Sequence, residues 1–238
     1  MRIALLGYGK MGQLIAQLAE AQQHEVVLRI GIDNVHELTV AALEQADVAI
    51  EFSRPEAAVA NVKRCAEAGV PVVVGTTGWY DDYESTAAYV LEKGGALLAA
   101  TNFSLGVNLY FAMAERLGSL MQPYAQYEAR IEETHHVHKL DAPSGTAITS
   151  AERLLQGLTR YQGWSLDGSR PGSLPVIAHR IDEVPGTHEV VFSNSIDEIK
   201  LTHTAFNREG FAAGALFAAH WLVGKQGVFS MRDVLGLG

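Results

Sequence analysis

A short apolar run, Arg2–Leu6, ends in Gly7-Tyr8-Gly9-Lys10-Met11-Gly12, and apolar residues then recur at helical spacing through Met11, Leu14, Ile15 and Leu18. A strand that passes through closely spaced glycines straight into a helix is compatible with few architectures. The first glycine of such a G-x-G-x-x-G turn permits the tight bend, the second lets backbone approach a pyrophosphate, and the third lets the helix pack close to the strand. Further apolar runs at Glu25–Ile32, Val48–Phe52, Pro71–Val74 and Ala96–Ala100 alternate with helical stretches, one of them from about Asp81 to Lys93. Strands alternating with helices predict an α/β fold with a Rossmann-like, doubly wound parallel sheet.

The rhythm changes after Thr101. A helix from Gly106 to about Met121 leads to a strand at Tyr127–Glu133, then to a His-rich loop, then to an amphipathic helix carrying Ile148, Ala151, Leu154, Leu155 and Leu158 on one side. Strands are expected at Pro175–Arg180, His188–Asn194 and Glu198–Ala205, with little helix between them. Short connections of that kind predict a mixed or antiparallel sheet, hence a second domain of α+β type. Gln162–Leu174, rich in Gly, Ser and Pro, reads as a loop, Gly210–Val223 as a strongly apolar helix and Ser230–Leu235 as a short one.

Composition narrows the classes of partner. The 238 residues are 48% hydrophobic and 19% charged, with a formal net charge of −9, which is the balance of a globular protein and argues against nucleic acid or an anionic membrane as partner. A lone cysteine, Cys65, sits in a helical pattern and reads as a small buried hydrophobe. With no signal-peptide pattern before Arg2 and no apolar run of membrane-spanning length, the expected location is the cytoplasm.

Asp33 follows Gly12 by 21 residues at the end of the second strand, where a carboxylate can accept hydrogen bonds from an adenosine ribose. It favours NADH over NADPH, because a 2′-phosphate would be repelled. Gly75-Thr76-Thr77-Gly78 closes the fourth strand at the carboxyl edge of the sheet, where open α/β folds bind ligands. The segment Glu133-Thr134-His135-His136-Val137-His138-Lys139-Leu140-Asp141-Ala142-Pro143-Ser144-Gly145-Thr146 sets three histidines and a lysine before a helix start. His135, His136, His138 and Asp141 could be zinc ligands, but consecutive residues of an extended chain point to opposite sides. Acid chemistry beside an anion site fits better: one histidine donates a proton, while its neighbour, Lys139 and the Ser144-Gly145-Thr146 backbone hold the carboxylates of a small-molecule dicarboxylate. No metal is implied. His188, His203 and His220 read as structural.

These residues resemble the 4-hydroxy-tetrahydrodipicolinate reductases (dihydrodipicolinate reductases) of the lysine and diaminopimelate pathway. The resemblance spans nearly the whole chain, through Gly7–Gly12, Gly75–Gly78, Asn102-Phe103-Ser104-Leu105-Gly106, the signature from His135 to Ala147, and an ending from Phe211 through Gly236. It implies NAD(P)H-dependent reduction of 4-hydroxy-tetrahydrodipicolinate to tetrahydrodipicolinate. His135 is then the general acid/base, Lys139 a second proton donor, and His136 with Ser144, Gly145 and Thr146 the substrate-binding set. Cofactor contacts come from Gly7, Tyr8, Gly9, Lys10, Met11, Gly12, Asp33, Gly75, Thr76, Thr77, Ala99, Ala100, Thr101 and Asn102. The implied organisation is a dinucleotide-binding domain over 1–101 and a substrate-binding and oligomerisation domain over 102–209. Helices over 210–238 return to the first domain, and the substrate-domain sheets build a homotetramer. The chain departs from the family in a short stretch between Asp33 and the third strand and in the turn Asp182–Gly186. Another Rossmann-type amino- or keto-acid dehydrogenase, a nucleotide-sensing protein and a zinc-dependent hydrolase are the competing readings.

Overall fold

The computed structural model describes residues 1–182, 184 and 186–237. The turn from Asp182 to Gly186 singled out in the sequence includes Glu183 and Pro185, which lie outside the described residues. In chain order the elements are β1 (Arg2–Leu6), α1 (Lys10–Ala21), β2 (Glu25–Ile30), α2 (Val40–Leu43), β3 (Val48–Glu51), α3 (Pro55–Glu67), β4 (Val72–Val74), α4 (Tyr83–Glu92) and β5 (Ala96–Ala99). They continue with α5 (Leu105–Met121), β6 (Glu128–His135), α6 (Gly145–Gly157), β7 (Trp164–Leu166), β8 (Leu174–Arg180), β9 (Thr187–Ser193), β10 (Glu198–Thr204), α7 (Glu209–Leu222), β11 (Gly227–Phe229) and α8 (Met231–Leu235). The chain divides into two compact units, Met1–Leu105 with Glu209–Gly238, and Gly106–Arg208.

The first unit is built on a parallel sheet with strand order β11-β5-β4-β3-β1-β2. Residues of β1 alternate between two cores: Ile3 and Leu5 pack with Ile15 of α1 and Ala215, Leu216 and Leu222 of α7, whereas Ala4 and Leu6 pack with Val62 and Cys65 of α3 and Val90 of α4. Coverage on both faces explains why β3 and β4 are buried at every position. Because β1 pairs with β2 on one side and β3 on the other, the connections diverge there, and the crevice beyond its carboxyl end is where such sheets take ligands. The short connection after Asp33 folds as one turn of 3-10 helix, Val35–Glu37, and the single-turn α2. Small residues let α7 approach the chain closely: a Cβ on Gly214 would lie 1.8 Å from the Phe103 carbonyl oxygen. Cys65 is fully buried, and burial pushes its thiol pKa up, as expected of a packed residue.

The second unit carries a mixed sheet, β10-β9-β6-β8-β7, with β6 antiparallel to β9 and parallel to β8. One face, through Ala129, Ile131, Val176, Val190 and Phe192, packs on Val107, Tyr110 and Ala114 of α5 and Ala147, Ala151 and Leu154 of α6. The helices come close at Gly118, where a Cβ would stand 2.5 Å from the Leu154 carbonyl oxygen.

Two expectations are corrected and one strand is added. Strand β6 runs two residues past Glu133, so His135 lies on a strand and not in the loop. The Gln162–Leu174 loop contains β7, which extends the sheet by pairing Trp164 with Leu174 and Leu166 with Val176. Strand β11, hidden between α7 and α8 in a stretch too short for periodicity to register, adds an edge to the first sheet beside β5.

Candidate functional site

In the first unit the glycines of the β1–α1 turn have separable jobs. Gly7 has φ +102°, and a Cβ there would stand 2.1 Å from the Phe52 carbonyl oxygen. A Cβ on Gly12 would meet the Gly7 carbonyl oxygen at 2.1 Å, so α1 can start only where glycine lets it touch the strand. Around Gly9 nothing lies within 4 Å of such a Cβ. That open space is the feature a pyrophosphate needs, because Gly9 caps α1 without a side-chain hydrogen bond. A cavity of about 380 Å³ adjoins the turn, lined by Gly7, Gly9, Gly31, Ile32, Arg54 and Asn61 among others. Tyr8 is part of the same wall, while Lys10 is exposed and Met11 packs against the core. Asp33 is exposed and lies outside that wall, three residues beyond the end of β2.

The neighbouring turns are held by side chains the sequence reading did not single out. Glu51, fully buried at the end of β3, accepts hydrogen bonds from Ser53 and from Asn61 Nδ2 at 3.2 Å. Ser53 N–H also donates to Thr76 Oγ1 at 2.9 Å, and the Trp79 indole donates to the Thr76 carbonyl at 2.8 Å. Gly75 makes room for the Phe52 ring, which a Cβ would meet at 2.1 Å. Thr77 is exposed in the same turn. Ala99 ends β5, Ala100 N–H donates to the Val74 carbonyl, and Asn102 Oδ1 accepts from Ser104 N–H at 2.9 Å, so Ala99 to Asn102 follow the carboxyl edge of the sheet through Thr101.

In the second unit, period-two alternation along β6 puts Ala129, Ile131, Glu133 and His135 on the face that packs on the helices. An acid therefore occupies a core position: Glu133 is 0% exposed. Its Oε1 accepts from Ser144 N–H at 3.1 Å and from Arg180 Nη2 at 3.1 Å, and its Oε2 lies 3.2 Å from Ser144 N–H and 3.3 Å from His135 Nδ1. The His135 contact is close but is not an aligned hydrogen bond. Burial by itself raises a carboxyl pKa, but contacts from His135, Ser144 and Arg180 outweigh it and hold Glu133 at about 2. Arg180 also donates to the carbonyls of Lys139 and Asp141, at 3.3 and 2.5 Å, which ties the loop to the sheet.

Ser144 caps α6, its Oγ accepting from Ala147 N–H at 3.2 Å and its carbonyl from Ile148 N–H. The amides of Gly145 and Thr146 have no acceptor among the described residues, and Gly145 is exposed with open space about it. Free donors at the start of a 13-residue helix are an arrangement that can hold an anion. Lys139 Nζ is held by both Asp141 oxygens, at 2.8 and 2.9 Å. His136 is half-buried, with its ring 6.1 Å from that of His138.

His188, read from sequence as structural, stands edge-on to His135 with ring centroids 5.0 Å apart. Burial, then the neighbouring His135, pushes its pKa down to about 4, so it is neutral near pH 7. Glu133, His135 and His188 offer possible metal-ligand atoms within 4.8 Å of one another, a set unlike the one weighed from sequence. The carboxylate is already bonded to Ser144 and Arg180, and the guanidinium charge opposes a cation beside it. Acid chemistry suits the cluster better than metal chemistry. No helix among the described residues is long and apolar enough to cross a membrane.

Comparison with known proteins agrees with this layout. Residues 1–103 match the family model for the dihydrodipicolinate reductase N-terminus, and residues 106–235 match the one for its C-terminus. The chain is 45% identical over 236 residues to the 4-hydroxy-tetrahydrodipicolinate reductase of Christiangramia forsetii, covering 99% of this chain and 98% of the relative. It is 33% identical to the enzyme of that name from Neisseria meningitidis serogroup B, covering 100% and 98%. Its fold is similar to that of a dihydrodipicolinate reductase from Paenisporosarcina sp. TG-14 solved with dipicolinate bound, with a TM-score of 0.80, 23% identity and 97% of each chain covered.

The lowered pKa of His188 has a consequence for stability. Between the unfolded value near 6.5 and the folded value of about 4 the unfolded chain binds a proton that the folded chain does not, so stability falls as pH drops through that window. Urea unfolding followed at pH 7 and pH 5 is expected to show a loss of about 2 kcal/mol from this group. The difference should shrink in a His188→Asn variant, and an equal pH effect in both proteins would assign it elsewhere.

Proposed function

The chain belongs to the dihydrodipicolinate reductase family, and we propose that His135 is its proton donor while Gly145, Thr146 and His136 hold the substrate carboxylates. The activity is the reduction of 4-hydroxy-tetrahydrodipicolinate in lysine and diaminopimelate biosynthesis, with NAD(P)H as the family's reductant. The observation that carries the assignment of roles is the juxtaposition of an acid, His135, and unclaimed helix-start amides around one buried carboxylate, Glu133.

When bound, the nicotinamide supplies a hydride. The open turn at Gly9 and the adjoining cavity fit the pyrophosphate and adenosine of such a cofactor, with Gly7–Gly12, Gly75–Thr77 and Ala99–Asn102 as the contacts. Replacing the substrate's hydroxyl by hydrogen consumes one hydride and one proton and releases one water, so one proton donor is needed. In this reading His135 gives it. Fixing both carboxylates at Gly145-Thr146 and His136 orients the ring, and orientation of this kind supplies much of an enzyme's acceleration. Lys139, whose ammonium is held by Asp141 and keeps a third N–H to donate, is the second donor in this reading.

His135→Gln is expected to lower kcat by roughly 10²-fold while NADH binding, followed by fluorescence, is unchanged. Lys139→Ala should raise KM for the substrate and lower kcat together. The assay couples pyruvate, aspartate semialdehyde and the preceding synthase to loss of NADH absorbance. Wild-type turnover in the His135 variant removes it from the mechanism.

We infer the preference for NADH from Asp33, whose spacing from the glycine turn suits a contact with an adenosine ribose and which stands exposed three residues beyond β2. Wild-type kcat/KM should favour NADH over NADPH, and Asp33→Ala should shrink that ratio by roughly tenfold. Equal use of both nicotinamides before mutation would remove Asp33 as the discriminator.

The Gly106–Arg208 unit is the substrate-binding and oligomerisation domain in this reading, and the enzyme works in the cytoplasm as a homotetramer joined through its mixed sheet. Supporting this are exposed Ile196, Ile199 and Phe206 in and beside β10, the strand at one edge. Sedimentation velocity should give a mass four times that of the chain; a monomer at micromolar concentration contradicts it.

A further inference from the structure

We propose that Glu133 is a positioning residue: its buried carboxylate fixes the proton of His135 on Nδ1, keeping Nε2 as the atom that gains and gives the catalytic proton. This rests on the assignment of His135 as the acid.

The cost of the arrangement is the first argument. A buried ionised carboxylate is stabilised by good partners only about as well as an apolar replacement of the same volume would be, so an acid at a core position of β6 is poorly explained by stability. The partners themselves are the second. Ser144 N–H and Arg180 are obligatory donors, and between them they lock Glu133 as an anion that accepts on both oxygens. An acceptor-only group beside His135 Nδ1 at 3.3 Å demands a hydrogen on that nitrogen. The contact is out of line here, as catalytic hydrogen bonds often are before substrate binds, and the proposal requires substrate binding to bring it into line.

The remaining surroundings agree. Gly186 passes close to the far side of the ring: its φ is +132°, and a Cβ there would lie 3.1 Å from His135 Nε2. Glycine at this point keeps the reactive nitrogen clear. His188, neutral through burial, presents a ring edge and no charge to His135. One anion thus governs two tasks, because the Ser144 N–H that it accepts begins the helix whose next amides hold the substrate carboxylate. The signal lay in the sequence as an acid two residues before a histidine on a strand, which places both on one face.

Glu133→Gln separates the tasks. With Arg180 and Ser144 both donating, the amide oxygen must face them and the NH2 must face Nδ1. The cradle survives, but Nδ1 becomes an acceptor and the ring proton moves to Nε2. The full chain, labelled with 15N-histidine and saturated with dipicolinate, is examined by NMR above the histidine titration range, beside steady-state kinetics. Expected are the Nδ1–H tautomer of His135 in the wild type and the Nε2–H tautomer in Glu133→Gln. The variant's kcat should fall at least tenfold, with the dissociation constant for dipicolinate changed less than threefold. An Nε2–H tautomer in the wild type overturns the proposal without need of any variant, which covers the case where Glu133→Gln does not fold. Loss of turnover in His135→Gln with wild-type kcat and tautomer in Glu133→Gln overturns the positioning role alone. Full turnover in His135→Gln overturns the acid assignment beneath it.

Discussion

The second unit is organised around a carboxylate buried where an apolar side chain is the ordinary choice. Glu133 is fully inaccessible and is reached by the first backbone N–H at the α6 start, by the Arg180 guanidinium and by the His135 ring. Arg180 in turn holds the Lys139 and Asp141 carbonyls. Removing the side chain altogether would leave Arg180 and the Ser144 N–H without their acceptor and loosen strand, loop and helix together, since an orphaned buried partner costs more than the pair contributes. His135 and the α6 start, the proposed proton donor and anion site, therefore share one electrostatic anchor.

The first unit meets a different constraint, one of space. Gly7, Gly12 and Gly75 stand where a Cβ would overlap backbone or a ring at 2.1 Å, whereas Gly9 faces open volume. The crowded glycines explain how α1 and the Gly75 turn come so close to the strands. The open one explains how a charged ligand reaches α1, whose first-turn amides carry no side-chain cap. Glu51 supports the same edge from within by accepting hydrogen bonds from Ser53 and Asn61. In both units a buried acid sits beneath a ligand-binding turn.

Much of this was legible in the sequence because the governing periods are short and strong. The glycine turn and the largely apolar runs of β1, β3 and β4 announce a parallel sheet, and the capped α6 is visible as Ser144 before an amphipathic run. What escaped depended on pairing partners distant in sequence. Strand β7 exists because Trp164 to Leu166 meet β8, and β11 because Gly227 to Phe229 meet β5. Composition alone gave Trp164-Ser165-Leu166 no strand character against its Gly, Ser and Pro neighbours. The sequence places Glu133 at the end of a strand, and alternation along that strand already sets it on the face of Ile131. Arg180 and His188 reach the site through the register of β6 with β8 and β9, which no local pattern encodes. Asp33 shows the converse: its spacing from the glycine turn is clear, but it is exposed and outside the cavity wall.

The central claim is that the Gly145-Thr146 amides and His135 converge on one dicarboxylate. A crystal structure of the protein with dipicolinate tests it most directly. One carboxylate should accept from the Gly145 and Thr146 N–H groups at 2.7–3.1 Å, roughly the range for charge-assisted bonds, with the ring beside His135 Nε2. Dipicolinate bound elsewhere, with those amides left to water, would contradict the account.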